Sequence, residues 1–182
     1  VDPHFKMLWN EDIPAINHKD EANRTTTVEI IAGKINTINA LDPTPDSWAA
    51  NPINSVGVYT VKMEAGAQWT LPKTSSEANR SVFFYKGKTV KIEGQTILSN
   101  HVIELEAGEN VTLQNGNEEA YFLILEGKPI GEPVAQHDTF VMNTQQEIRE
   151  AMSDYGKTQF GGWPWAEKEV VHFREKGRFA KH

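Results

Sequence analysis

The chain has 182 residues, of which 38% are hydrophobic and 24% charged, so its composition favours one folded domain with appendages over a disordered chain. Its net charge of −7 repels nucleic-acid backbones and anionic lipid, and neither is expected as a partner. Cysteine is absent, which excludes disulfides and thiolate chemistry. No apolar run approaches the roughly 20 residues that a membrane span needs, and no secretory signal is recognisable, so we expect a soluble, cytoplasmic protein.

Short β-branched and aromatic runs separated by turns follow a 24-residue N-terminal extension, residues 1–24. This pattern is typical of an antiparallel sandwich or barrel. The predicted strands are Thr25–Ala32, Val56–Met63, Gln68–Leu71, Ser81–Tyr85, Thr89–Ile92, Val102–Leu105, Asn110–Leu113 and Ala120–Leu125. Between the first two strands, Leu41–Asn54 contains three prolines, which cannot donate ladder hydrogen bonds. We expect this segment to be a long loop that covers an opening of the barrel.

Four glycines punctuate the later strands, and each is predicted to occupy a hairpin position that requires a positive φ. They are Gly87, Gly94, Gly108 and Gly116. The domain is predicted to extend from residue 25 to residue 160.

A helix is predicted over residues 144–155, near the end of this domain. Thr144 and Glu147 have the spacing of a capping box, apolar residues then recur on one helical face, and Gly156 is expected to end the helix. The aromatic segment Phe160–Trp165 is expected to dock on the domain. Residues 161–182 are predicted to form an irregular tail, whose basic side chains are expected to be solvated. These are Arg174, Lys176, Arg178 and Lys181.

The histidines are too dispersed for a metal centre built within the chain. The six are His4, His18, His101, His137, His172 and His182. Two imidazoles on one strand face would need His-x-His spacing, which does not occur. His101 lies near Glu104 and could act as a lone ligand or base, but a strand-edge histidine bonded to backbone or solvent is the favoured interpretation. No nucleophile elbow is present either, so we predict no catalytic residue and no metal ligand.

Aromatic side chains supply the remaining hint of a binding site. The ligand-pocket candidates are Trp69, Phe83, Tyr85 and Tyr121, together with His101. Strand alternation places Phe83 and Tyr85 on one face of their strand and Phe84 on the other. Which face points inward stays open, and ordinary core packing remains the alternative.

The segment Leu125–Thr144, with the sequence LEGKPIGEPVAQHDTFVMNT, closely resembles the C-terminal signature of the pirins. A helix and the aromatic FGGWPW segment follow it in the same order as in that family. Gly66–Pro72, Ser81–Gly87 and Val28–Gly33 resemble the corresponding upstream pirin strands, so the resemblance extends over essentially the whole chain. The loop His137–Phe140 departs from the family pattern locally.

The resemblance implies a cupin fold, a jelly-roll β-barrel with one C-terminal helix, and specifically the second of the two cupin halves that pirins carry in tandem. In the family the metal, usually iron, is held by the N-terminal half through a His-x-His element, a further histidine and a glutamate. A cupin motif read from Gly66 would need histidines near Pro72 and Thr74. We therefore expect a degenerate cupin without its own cofactor, and we expect Val1 to be an internal boundary preceded by a metal-binding half.

Three functions remain open. The favoured one is a pirin-type cupin domain without a metal site, with a structural or binding role. The alternative is half of an iron-dependent quercetin 2,3-dioxygenase whose metal-binding half lies outside this chain. The third is an interaction protein that contacts a regulator through its surface. Because tandem cupin halves pack on each other, this half is expected to expose an apolar patch and to form a homodimer or to pack against another cupin half.

Overall fold

The computed structural model describes residues 6–162. Within them the chain forms two compact units, one ending at Pro129 and the other beginning at Ile130. The strands of the first unit are β1 (Ala15–Lys19), β2 (Thr25–Ala32), β3 (Lys34–Ile35), β4 (Ile38–Asn39), β5 (Gly57–Met63), β6 (Gln68–Leu71), β7 (Asn79–Lys86), β8 (Thr89–Ile92), β9 (Gln95–Leu98), β10 (His101–Glu106), β11 (Val111–Asn115) and β12 (Ala120–Gly127).

Two antiparallel sheets build the first unit as a jelly-roll sandwich, which confirms the predicted fold class. One sheet has the strand order β1-β2-β5-β12-β7-β10 and the other has the order β6-β11-β8-β9. Buried residues alternate with more exposed ones along β2, β5, β6, β7, β8, β11 and β12, as expected when one sheet face packs on a core. Phe84 and Phe122 stack at 4.7 Å between ring centroids, and Leu71 and Leu113 from the other sheet join the same core.

All eight predicted runs are strands, and three of them have the predicted bounds: β2, β6 and β8. The sequence pattern did not indicate β1, β3, β4 or β9. These are short strands whose pairing rather than composition defines them, since β1 lies along β2 at the sheet edge and β9 returns along β8. The predicted N-terminal extension thus supplies the edge strand β1.

The predicted turn glycines divide into two kinds. Gly87 and Gly94 have positive φ, at 128° and 80°, as predicted. The prediction is wrong for Gly108 and Gly116, which do not occupy the left-handed region. Close approach explains the glycine at residue 116, because a Cβ there would lie 2.3 Å from Thr89 Oγ1.

The predicted loop between Leu41 and Asn54 contains no strand but includes two 3-10 turns, Trp48–Ala50 and Pro52–Asn54. Trp48 Nε1 donates to the carbonyl oxygen of Lys128 at 3.1 Å. Asn54 Nδ2 donates to the carbonyl oxygen of Trp48 at 2.8 Å. The first bond attaches the proline-rich loop to the chain just after β12, and the second braces the loop internally.

The second unit consists of the hairpin β13 (Ala135–His137) and β14 (Phe140–Met142), followed by helix α1 (Gln145–Thr158). The capping box between Thr144 and Glu147 is present as predicted. The predicted helix end is wrong: α1 continues through Gly156, and the chain leaves the helix at Gln159, where φ is 52°. His137 lies in β13 rather than in a loop. In the described part of the chain, no helix is long and apolar enough to cross a membrane.

Three aromatic rings pack together in this second unit. Phe140, Tyr155 and Phe160 have ring centroids 5.2–6.2 Å apart, at which edge-to-face contacts are favourable. The remainder of the predicted aromatic segment, Trp163–Trp165, and the basic residues of the tail lie outside the described residues.

Candidate functional site

Three adjacent strands of the six-stranded sheet end in a polar group on their inward faces. On β7, Arg80 precedes Val82 and Phe84, and on β12, Glu126 follows Phe122 and Ile124; these side chains share the buried face of the sheet. The register places Glu126 directly opposite Arg80. Strand alternation therefore carries two charged side chains to one end of an otherwise apolar interior.

A buried ion pair occupies this end of the sandwich. Arg80 Nε donates to Glu126 Oε2 at 2.8 Å, and the two side chains are only 0% and 5% exposed. The guanidinium also donates to the carbonyl oxygens of Pro72, at 2.8 Å, and Glu109, at 3.3 Å. Because buried charges are tolerated when they are paired and hydrogen-bonded, these contacts explain how Arg80 can be fully enclosed.

Tyr59, on the inward face of β5, completes the network. Its hydroxyl lies 3.0 Å from Glu126 Oε1 and 3.1 Å from the carbonyl oxygen of Lys34. Burial, reinforced by the neighbouring Glu126 carboxylate, raises the pKa of Tyr59 well above its ordinary value. The hydroxyl therefore stays protonated at neutral pH and acts as a hydrogen-bond donor.

A glycine makes room for this network. Gly57 lies opposite Glu126 on β5. A Cβ at this residue would lie 2.3 Å from the Tyr59 hydroxyl oxygen and 2.7 Å from Glu126 Cγ. Only a residue without a side chain allows Tyr59 to reach the carboxylate.

A cavity of about 550 Å³ opens beside these groups. We call it the mouth cavity. Its wall combines the β3–β4 hairpin, the proline-rich loop, and the ends of β5, β6 and β12. Tyr59 and Glu126 line it, and so do Pro72 and Thr74, the two residues at which a cupin motif read from Gly66 would place histidines.

The side chains at the mouth cavity do not fit an iron centre. Its lining contains no imidazole, and the buried Glu126 carboxylate already accepts from a guanidinium and a phenol. A cation beside that carboxylate would lie close to the Arg80 charge. Among residues 6–162, no group of three or more histidine, aspartate or glutamate side chains is arranged to hold a metal ion.

The five sequence-predicted pocket residues are not brought together. Trp69 is 6% exposed and belongs to the core. Phe83, Tyr85 and Tyr121 lie on the outer face of the six-stranded sheet, where the rings of Tyr85 and Tyr121 are 6.2 Å apart. The mouth cavity is lined by none of the five.

His101 begins the edge strand β10 and is exposed. Its Nδ1 lies 3.1 Å from the carbonyl oxygen of Leu98 and 3.2 Å from that of Ser99. Glu104 instead accepts a hydrogen bond from Ser81 at 2.9 Å. The backbone-bonded interpretation of this histidine is confirmed.

Sequence reasoning missed Tyr59, Arg80 and Glu126. A usable signal was present, because alternation along Ala120–Gly127 puts Glu126 on the same face as the apolar Phe122 and Ile124. A charged residue at an inward position needs a partner. Alternation also puts Arg80 on the same face as Val82 and Phe84, so Arg80 would have been the natural partner to predict for Glu126.

The fold and its relatives define the class of the protein. The chain superposes on a quercetin 2,3-dioxygenase from Acinetobacter baumannii with a TM-score of 0.67 and 26% identity, over 85% of this chain and 49% of that one. It also shares its fold with GK1651 from Geobacillus kaustophilus, at a TM-score of 0.52 and 18% identity over 73% of this chain and 50% of that one. This is a cupin-type jelly roll.

Residues 58–161 match the model of the pirin C-terminal cupin domain, and the chain belongs to the pirin family. It is 37% identical to human pirin over 88% of this chain and 52% of that protein. It is also 31% identical to a putative quercetin 2,3-dioxygenase of Vibrio cholerae, over 63% of this chain and 41% of that protein. The chain spans about half the length of the curated relatives it matches.

Proposed function

We propose that this pirin-type cupin domain has no metal site of its own and serves a structural or binding role, in the cytoplasm. The observation that carries the proposal is the chemistry of the mouth cavity. Pro72 and Thr74 stand where a cupin motif would place imidazoles, and the buried Glu126 carboxylate is bonded to Arg80. Such a site offers hydrogen-bonding groups and no ligand set that suits iron.

Elemental analysis of the purified chain, combined with a quercetin-depletion assay, tests this proposal. We expect substoichiometric iron and copper and no consumption of quercetin. The Glu126→Gln variant is the matched comparison, because metal held at the mouth cavity would fall with it, whereas metal adsorbed elsewhere would not. Stoichiometric metal that this variant loses, accompanied by turnover in the parent chain, would overturn the proposal.

The structural role rests on the outer face of the six-stranded sheet. Tyr85 and Val102 on this face are 50% and 54% exposed, and Leu125 is 37% exposed. Phe83 lies between Val102 and Leu123 in the strand register. Adjacent exposed apolar side chains of this kind indicate an interface. This face is proposed to pack against another cupin half, or against a second copy of the chain when no other half is present.

Light scattering at several protein concentrations measures this association. The chain is expected to form a homodimer, and Val102→Glu is expected to make it monomeric by placing a charge in the interface. Val134→Glu is the control, since Val134 is 76% exposed and belongs to the second unit. A monomeric parent chain at high concentration, or a Val102→Glu variant that still dimerises, would contradict the proposed interface.

A second candidate is half of a metal-dependent quercetin 2,3-dioxygenase of the pirin type. The likeness to the Acinetobacter baumannii enzyme over about half of its chain favours it. Here the metal and the chemistry would belong to another cupin half. Expression of the complete coding sequence decides: quercetin turnover that survives Glu126→Gln in this domain supports the second candidate, and its absence from the complete, iron-loaded protein rejects it.

A further inference from the structure

We propose that the mouth cavity binds a neutral, polyhydroxylated small molecule with the size and chemistry of a mono- or disaccharide. This inference goes beyond the proposed structural or binding role, and it does not depend on the interface at the outer sheet face. It follows from the size of the cavity, the groups on its wall and the hydrogen bonds that these groups leave open.

The dimensions of the cavity are those of a ligand site. Its volume of about 550 Å³ falls within the roughly 300–1,000 Å³ of typical small-molecule pockets. Three separate parts of the first unit form the wall: the β3–β4 hairpin, the proline-rich loop and the strand ends. The loop is held by the Trp48–Lys128 and Asn54–Trp48 hydrogen bonds, so this wall does not depend on a free segment.

The wall is rich in groups that recognise hydroxyls. Besides Tyr59 and Glu126, the lining includes the amides of Asn36 and Asn39 and the hydroxyls of Ser55 and Thr74. Amides and hydroxyls both donate and accept, which matches the two-way hydrogen bonding of an alcohol. A ligand with several hydroxyls can replace the water that solvates these groups, whereas a purely apolar ligand cannot.

At the inner end of the cavity, one hydroxyl donor faces two acceptors. The Tyr59 hydroxyl lies within hydrogen-bond distance of both Glu126 Oε1 and the Lys34 carbonyl oxygen. It has one proton and can fully satisfy only one of these acceptors. The other acceptor is available to a ligand hydroxyl, which can in turn accept from a neighbouring lysine or amide.

The charges around the cavity favour a neutral ligand. Lys34 and Lys73 line it together with Asp42, while the Glu126 charge is paired with Arg80, so charges of both signs face a ligand. The nearby guanidinium of Arg80 is engaged by Glu126 and by backbone carbonyls. The lining therefore lacks the free arginine fork that typically binds carboxylates and phosphates. An anionic or cationic ligand would meet a like charge as well as an opposite one.

Saturation-transfer NMR on the full chain tests the inference with named probes. Glucose and maltose are the neutral probes, gluconate and glucosamine are the charged analogues, and quercetin represents a planar polyphenol. Thr74→Phe fills the cavity without removing the backbone hydrogen bond from Thr74 N to the Ala107 carbonyl oxygen. Thr96→Phe is the matched control, because Thr96 is exposed on β9 and does not line the cavity. Tyr59→Phe removes the inner hydroxyl.

Glucose or maltose is expected to show saturation transfer that Thr74→Phe abolishes and Thr96→Phe leaves unchanged. Tyr59→Phe should weaken this binding about tenfold, as expected for one lost hydrogen bond. The charged analogues should bind more weakly than the neutral sugars. Failure of both neutral sugars to bind, equal binding by Thr74→Phe, or a preference for quercetin or a charged analogue would overturn the inference. Thermal unfolding of each variant verifies that it is folded.

Discussion

The same three strands behave differently at their two ends. Along β5, β12 and β7, the inward residues of one half are Val61, Phe122 and Phe84, which are fully buried in the apolar core. Toward the other end of the same strands, the inward positions hold Tyr59, two residues before Val61; Glu126, four residues after Phe122; and Arg80, four residues before Phe84. Strand alternation and register are continuous from one half to the other.

The comparison shows that one set of paired strands carries an apolar core at one end and a hydrogen-bonded polar network at the other. The apolar half provides most of the burial that stabilises the sandwich. The polar half contains an internal ion pair and a phenol. The polar half contributes to stability only when each of its charged groups has a partner, because an unpaired buried charge is costly. The apolar half has no such requirement.

Removal of the Arg80 guanidinium is expected to give the largest loss of stability. Arg80→Met leaves the Glu126 carboxylate buried without its partner and should lower the free energy of unfolding by about 3–5 kcal/mol. Urea denaturation followed by fluorescence measures this change. Arg149→Met on the exposed face of α1 is the control and should change little.

The double variant Arg80→Met/Glu126→Leu sharpens this result. Because replacing both members of a buried pair by apolar groups is often neutral or stabilising, it should recover most of the stability lost by the single variant. A double variant as unstable as Arg80→Met would show that packing, rather than the unpaired carboxylate, limits the polar half.

Filling the space beside Tyr59 and Glu126 should have an intermediate effect on the free energy of unfolding. Gly57→Ala places a Cβ against the Tyr59 hydroxyl and Glu126 and should cost about 1–3 kcal/mol through overpacking. Gly156→Ala is the opposite case, since this residue lies within α1 with open space around it. It should raise the melting temperature, because alanine is favoured over glycine in a helix by about 0.5–1 kcal/mol. Equal destabilisation by both substitutions would contradict the close contact at Gly57.

The smallest expected effect is on how the ionisation of Tyr59 depends on pH. Since burial raises the pKa of Tyr59 in the folded state, its contribution to stability is complete below the unfolded-state value near 10 and is lost as pH rises through the higher folded value. In native protein, absorbance at 295 nm between pH 9 and about 11 should therefore be nearly the same for the parent chain and Tyr59→Phe. Unfolded samples should differ by one tyrosine. Ionisation of Tyr59 with the other tyrosines in the native state would show that it is not enclosed.

The sequence predicted much of the fold because its signals are local. Alternation in runs such as Thr25–Ala32 and Gln68–Leu71 defined strands to the residue, and the Thr144–Glu147 spacing defined the helix start. The end of α1 was mislocated because glycine was read as a terminator, whereas the chain reverses at Gln159. Short strands such as β9 were missed because pairing, rather than composition, makes them strands.

The site was predicted less well, for a physical reason. The aromatic candidates were chosen by residue type, but whether Phe83 or Phe84 faces the core depends on the register against β12 and on which sheet face is covered. Residue type also drew attention to His101, whose ring bonds to nearby backbone. The charged residues Arg80 and Glu126 were overlooked because they are 46 residues apart in the chain.

The sequence by itself determined the mainly β class and the lack of a His-x-His pair, because each depends on residue types at short spacing, and the family resemblance implied the jelly roll. Only the tertiary structure brought Tyr59, Arg80 and Glu126 together, since three strands from distant parts of the chain must pair in one register to do so. The same pairing, together with the proline-rich loop, left the mouth cavity beside them. The hydrogen-bonded network at this end of the sandwich is therefore a property of strand register rather than of any sequence motif.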